Sequence, residues 1–329
     1  MAMRRGGPPP APKPYAAVPL ADGLGLRTDP GTQRGHDRFT PDLLVGWLEG
    51  TCEALSPVHV GSGGVERTAH VAPDLAAETP LLVPLVRAAG VPVLPGSTLK
   101  GAVRAVVEAI TASCLRVRGG EVPPYLLPAC QRREGRPAEL CVACRLFGAP
   151  GYQGRVRFAD APLVEGRTTL ALAPALYRPR ARRGPTPPGR KFYRHGRPAH
   201  GAVPLEVCPP GARFRWRLDF ANLRPDELGL LLLALGQGEP PLWLKLGGYK
   251  PACFGSVQLA LGRLALDEPA ARYLDYADAA AGAEEIGSPP VAPYLQALAE
   301  GGLLLADRLE RLAAILRYPG EGDCPAGVY

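Results

Sequence analysis

At 329 residues, 46% of them apolar, the chain has length for one large domain or two small ones with a sizeable core. No stretch approaches the roughly 20 uninterrupted apolar residues of a membrane helix, and the start carries two arginines but no apolar run, so a cytoplasmic protein without a signal peptide is expected. The formal charge is +7, with 33 arginines (38 basic residues less five) and lysine only at positions 13, 100, 191, 245 and 250.

Residues 1–45 are rich in Pro, Gly and Arg and read as an arm. The run Gly46–Val60 reads as a strand ending at Pro57–Val60, followed by the turn Gly61-Ser62-Gly63-Gly64. Val65–Arg87 has no clear period and is long enough for a functional loop. Val91–Leu94 is a short strand, Ser97 is a candidate cap, and the helix after it puts Leu99, Val103, Val106, Val107 and Ile110 on one face. Residues 115–145 carry cysteines, prolines and charge; Arg155–Asp160 and Thr168–Tyr177 read as strands. A basic, proline-rich insertion fills 178–201.

The cleanest strand is Arg213–Phe220, with Phe214, Trp216, Leu218 and Phe220 on one face and Arg213, Arg215, Arg217 and Asp219 on the other. Pro225 and Asp226 open a helix over 226–235, and Gly236 closes it. The loop 245–256 leads into a strand at Val257–Leu261, and the tail from about 269 to 317 reads as helical. This order suits an α+β protein with a ferredoxin-like βαββαβ sheet and large insertions. The expected divisions are the arm 1–45, a core over 46–265, and a C-terminal helical segment over 266–329.

Eight cysteines in such a chain argue against a disulfide framework and turn attention to their spacing. Cys114, Cys130, Cys141 and Cys144 fall within one short stretch, and the last two form a C-x-x-C pair. Four thiolates satisfy a tetrahedral Zn2+ and leave no open position, so the expected role is structural. Cys52, Cys208, Cys253 and Cys324 are scattered and read as packing or surface residues.

Three segments suit phosphate. In LPGSTLKGAVR (94–104), Ser97, Lys100 and Arg104 stand at the start of a helix, whose backbone N–H groups favour anions, although an ordinary helix with surface charge reads the same way. The loop KLGGYKPACFGS (245–256) offers Gly247, Gly248 and Lys250 for close approach to a phosphate chain, with Tyr249 and Phe254 for stacking on bases. It lacks the GK[ST] of a Walker loop. The insertion has eight basic residues, Arg182, Arg183 and Lys191 among them, interleaved with Phe192, Tyr193, His195 and His200, which suits single-stranded nucleic acid. The arginine bias fits the same partner or a GC-rich genome.

SPVHVGSGG (56–64), VPVLPGSTLKGAVR (91–104), CVACRLFGAPGYQGRVRFADA (141–161) and LGGYKPACFGSV (246–257) occur in an order that resembles the repeat-associated mysterious protein (RAMP) superfamily, and within it the backbone subunits of type III CRISPR effectors. The resemblance implies a ferredoxin-like core of RNA-recognition-motif type, a zinc-knuckle insertion at about 114–144, and a thumb-like insertion at about 178–201. It implies a subunit lying along CRISPR guide RNA, facing target RNA and neighbouring RAMP subunits. RNA contacts would include Ser62, Ser97, Lys100, Arg104, Arg182, Arg183, Lys191, Tyr193, Gly247, Gly248, Tyr249 and Lys250.

In cleaving members an Asp lies in the loop after the first turn and works with Mg2+ or Mn2+. Here its position falls on Leu82, which cannot ligate a metal; Asp74 and Glu78 lie in the same loop, and Asp74 is the candidate replacement. Two other readings stay open: a guide-processing endoribonuclease using His59 or His70, and a zinc-stabilised interaction protein without RNA.

Overall fold

The computed structural model describes residues 14–28, 39–40, 42–114, 130, 139–176, 189–269, 274, 283–286, 290–320 and 322–324. Arg182 and Arg183, and with them most of the basic part of the insertion, lie outside the described residues. No described helix is long and apolar enough to cross a membrane.

The core elements are β1 (Leu44–Ala54), α1 (Gly96–Ile110), α2 (Val142–Phe147), β2 (Val156–Phe158), β3 (Ala161–Glu165), β4 (Arg213–Leu223), α3 (Pro225–Ala234) and β5 (Ser256–Asp267). Two further helices, α4 (Ala292–Glu300) and α5 (Ala306–Ile315), follow. In the main sheet β5 pairs with β1, β1 with β4, and β4 with both β2 and β3, all antiparallel. With β2 and β3 as one broken strand, the spatial order is fourth, first, third, second in the chain. A βαββαβ unit with helices over one face has this order, so the mixed, antiparallel architecture is compatible with a ferredoxin-like fold.

Local pattern accounts for the central pieces. Phe214, Trp216, Leu218 and Phe220 are all buried, while Arg213 and Arg215 on the alternate positions of β4 are exposed. Leu99, Val103, Val106, Val107 and Ile110 of α1 are buried against the sheet, each contributing on the order of 1.5–3 kcal/mol. Helix α3 is apolar on every side, with Leu228 and Leu230–Ala234 all buried. Its second partner is α4: a Cβ built on Gly229 would lie 2.0 Å from the Tyr294 carbonyl oxygen. A helix enclosed from both sides needs no polar stripe.

Several expectations change. Strand β1 stops at Ala54, and Pro57–Val60 runs on as irregular chain with one bridge, Val58 to Cys208. Ser97 caps nothing: Pro95 is the N-cap and makes no side-chain cap bond. The tail is not continuously helical, because Ala283–Ile286 adds a strand to the far end of β5. Two strands lie within the first 45 residues; Tyr15–Pro19 pairs with Gly189–Tyr193, and Arg27–Thr28 with Glu139–Leu140. Cys253 and Cys324 are joined in a disulfide, against the expectation of unpaired residues. It ties Gly322–Cys324 to the glycine loop, beside the bridge between Arg197 and Asp323.

Candidate functional site

The four cysteines of the short stretch converge. Cys114 follows the end of α1, Cys141 is the N-cap of α2, and Cys144 lies in its first turn. With Cys130 they are all buried, and their Sγ atoms lie within 4.8 Å of one another. Sγ of Cys114 is 3.4 Å from that of Cys144 and 3.7 Å from that of Cys141. Tetrahedral zinc with Zn–S near 2.3 Å sets its sulfurs about 3.8 Å apart, so the donor set and its spacing suit a thiophilic metal such as zinc. The Cys141 amide donates to Cys130 Sγ, and Arg104 Nη2 lies 3.8 Å from Cys144 Sγ, both favouring thiolate. Hydrogen bonds from the other thiols, Cys114 first, hold Cys141 well below its usual range and push Cys144 up.

Arg104 thus serves the cysteine centre. It pairs with Glu108 and donates to the Gly148 carbonyl as well, so it does not face a groove for nucleic acid as its place one turn from Lys100 suggests. Beside it, Arg145 of the CRLFG run is buried and pairs with Glu227 in the first turn of α3. That pair, with the Arg145 bond to the Asn222 carbonyl, locks α2 against the β4–α3 junction.

A groove of about 480 Å3 lies between the first turns of α1, the chain after β1, the strand Gly189–Tyr193 and the glycine loop. It is built from close approaches. A Cβ on Gly96 would stand 2.2 Å from the Phe158 carbonyl oxygen, and the Gly96 amide donates to Asp160 Oδ1, so α1 starts directly against β2. Gly247 has φ +75°, and a Cβ there would lie 2.2 Å from the His59 carbonyl oxygen, which accepts the Gly248 amide at 2.8 Å. Tyr249 and Cys253, on either side of the turn Lys250–Ala252, both hold left-handed φ, at about 1–2 kcal/mol each.

Ser97, Lys191, Tyr193, Gly247, Gly248 and Lys250 all line this groove. Lys100 is not among the lining residues; burial and then Arg104 lower its pKa. Lys191 Nζ lies 3.9 Å from the Tyr15 ring centroid and 4.5 Å from that of Tyr193. Lys245, the first residue of the loop 245–256 but not named among its RNA contacts, also lines the groove. Three of the four lysines among the described residues therefore collect here, and none of the four is in an ion pair. Burial lowers the pKa of Lys250, and burial followed by Lys250 lowers Lys245 to about 7.

Other candidates lie elsewhere. Phe254 is buried, and Tyr249, half-buried, packs edge-on against His59 and leans on Phe254. Ser62 is exposed on its turn, with its amide donating to the Pro84 carbonyl and its hydroxyl to Glu66. Asp74 is exposed on the turn Pro73–Leu75 outside the groove, and Leu82 is fully buried against Ala72 and Leu75. Among the described residues no group of three or more possible metal ligands gathers around Asp74. His59 is buried with Nδ1 donating to the Glu206 carbonyl, and His70 is exposed. His195 is buried beneath the loop: Nε2 donates to the Trp243 carbonyl, leaving Nδ1 to accept from Ser256 Oγ. Burial, then Lys245, holds its pKa near 4.

No curated relative matches the chain. A family model described as RAMP superfamily matches residues 51–258, more than half of the chain. The matched span includes the four cysteines and every groove lysine.

Proposed function

From the premise that the chain belongs to the RAMP superfamily, we propose that it is a guide-RNA-binding backbone subunit of a type III CRISPR effector complex. Membership supports a CRISPR-associated RNA-binding role in general. The observation that carries the finer reading is the collection of Lys191, Lys245 and Lys250 at one groove without carboxylate partners. Three uncompensated lysines around a glycine-walled channel suit a phosphodiester chain, which supplies the missing charge. The neighbouring helix start, Ser97-Thr98, adds its dipole on the opposite wall.

In this reading the cysteine centre holds Zn2+, which stabilises the junction of α1 and α2 and performs no chemistry. Target RNA pairs with the guide on the exposed side, and other RAMP subunits lie along the same guide. Tyr193 and Lys191, leading out of the thumb-like insertion, meet the RNA at the groove's rim.

The test is to purify the chain with its genomic neighbours and sequence the RNA retained. Repeat-derived guides are expected; nucleic-acid-free protein would sink the assignment. The same material, given complementary RNA and Mg2+, reads cleavage at this subunit. Cuts that vanish with Asp74→Ala would place that acid in the reaction, and cuts that persist would exclude it.

A further inference from the structure

We propose that Lys245 anchors a buried phosphate subsite in the floor of the groove, holding one backbone phosphate of the bound RNA. This rests on the RNA-binding reading and adds a residue and a mode of binding to it. Lys245 is 7% exposed, and its Nζ donates to the Phe254 carbonyl at 3.0 Å. An ammonium has three donors, and among the described residues this is the only acceptor it finds. The buried carboxylates Glu227 and Glu206 each have a guanidinium partner, Arg145 and Arg87. A buried cation without a counter-ion is costly unless a ligand supplies one.

The surroundings call for an anion. Lys250, on the same loop, also lines the groove without a carboxylate and repels Lys245. Lys191 and Tyr193 line the same groove. His195 packs from below and is neutral at physiological pH, because burial and the adjacent Lys245 hold its pKa near 4. A phosphate oxygen between Lys245 and Lys250 turns a repulsion into two charge-assisted hydrogen bonds.

The same geometry makes binding take up a proton. In the free protein Lys245 loses its proton near pH 7, and only the ammonium form pairs with phosphate. Affinity is then fully present below pH 7 and falls as pH rises through it. The protonated fraction drops from about 0.9 at pH 6 to about 0.1 at pH 8, a loss of about tenfold.

The experiment measures binding of a fluorescein-labelled single-stranded RNA by anisotropy at pH 6, 7 and 8 and constant ionic strength, using the full chain. The native protein is expected to weaken about tenfold over that range. Lys245→Met is expected to bind weakly at all three values, and Lys245→Arg, charged throughout, tightly at all three. Lysine side-chain NMR gives a second readout independent of any variant's folding. The Lys245 signal should titrate near 7 alone and move upward with RNA. RNA binding that is flat with pH, or a slope that survives Lys245→Met, would overturn the subsite and leave the RNA reading intact. Failure of the folded native protein to bind RNA at pH 6 would overturn that reading instead. An equal upward shift with inorganic phosphate alone would refute assignment of the subsite to the RNA backbone.

Discussion

Replacing Lys191 and Lys250 together by methionine should change how RNA affinity responds to salt by a calculable amount. Each lysine at the groove can neutralise one phosphate. For single strands each such contact contributes about −0.7 to the slope of log K against log[salt]. At pH 6, with the three groove lysines charged, their share is about −2.1. Between 50 and 200 mM salt that amounts to about an 18-fold loss of affinity. Removing Lys191 and Lys250 leaves a share of about −0.7, or about a 2.6-fold loss over the same range. Methionine keeps the length and apolar stem of each side chain, so the walls lose charge rather than volume. Anisotropy titrations at four salt concentrations give both slopes directly. The control is Arg213→Met with Arg215→Met, exposed on β4 and outside the groove, which should leave the slope unchanged. An unchanged slope in the lysine variant, or an equal change in the arginine control, would refute the groove as the path of the RNA.

Metal analysis of the native protein should find one equivalent of zinc, and Cys141→Ser with Cys144→Ser should lose both the metal and soluble expression; full retention would remove the metal assignment. Under denaturing, non-reducing conditions with chelator, six thiols should react, because Cys253 and Cys324 are paired. Eight reactive thiols would disprove the pairing. The closed loop spans 71 residues, so Cys324→Ser should cost about 4 kcal/mol. For a chain of 329 residues that lowers Tm by roughly 6 °C, measurable by calorimetry. Gly247→Ala should weaken RNA binding about tenfold, since a methyl group there meets the His59 carbonyl at 2.2 Å and the left-handed backbone adds about 1–2 kcal/mol of strain. Native affinity in that variant would show that the loop's close approach is not needed.

Much of the frame was legible before any coordinates. The alternation over Arg213–Phe220 and the face of α1 are local patterns, and each became a buried surface where the period said it would. The C-x-x-C pair announced a thiolate centre, and four segments in order announced the family. The glycines were legible as points of close approach, although the neighbour of Gly96 or Gly247 was not.

Other features depended on partners distant in the chain. Lys245 reads as one polar position in an apolar run, and only pairing with β5 and the cover of Phe254 bury it. Arg104 turns to the cysteine centre and Glu108, while Ser97, Thr98, Gly101 and Ala105 form the α1 wall of the groove. Phe254 and Tyr249 look like stacking aromatics in a loop, but a small core beneath the glycine turn takes them both. Cys253 and Cys324 carry no spacing signal across 71 residues. The leucine run of α3 has no visible reason until α4 covers its outer side. Sequence alone determined the periods, the metal-type spacing and the family, because those follow from neighbours along the chain. Tertiary structure decided which cations are buried, which are free and which face one another. Burial and electrostatic partnership are set by packing between segments that the chain order does not bring together.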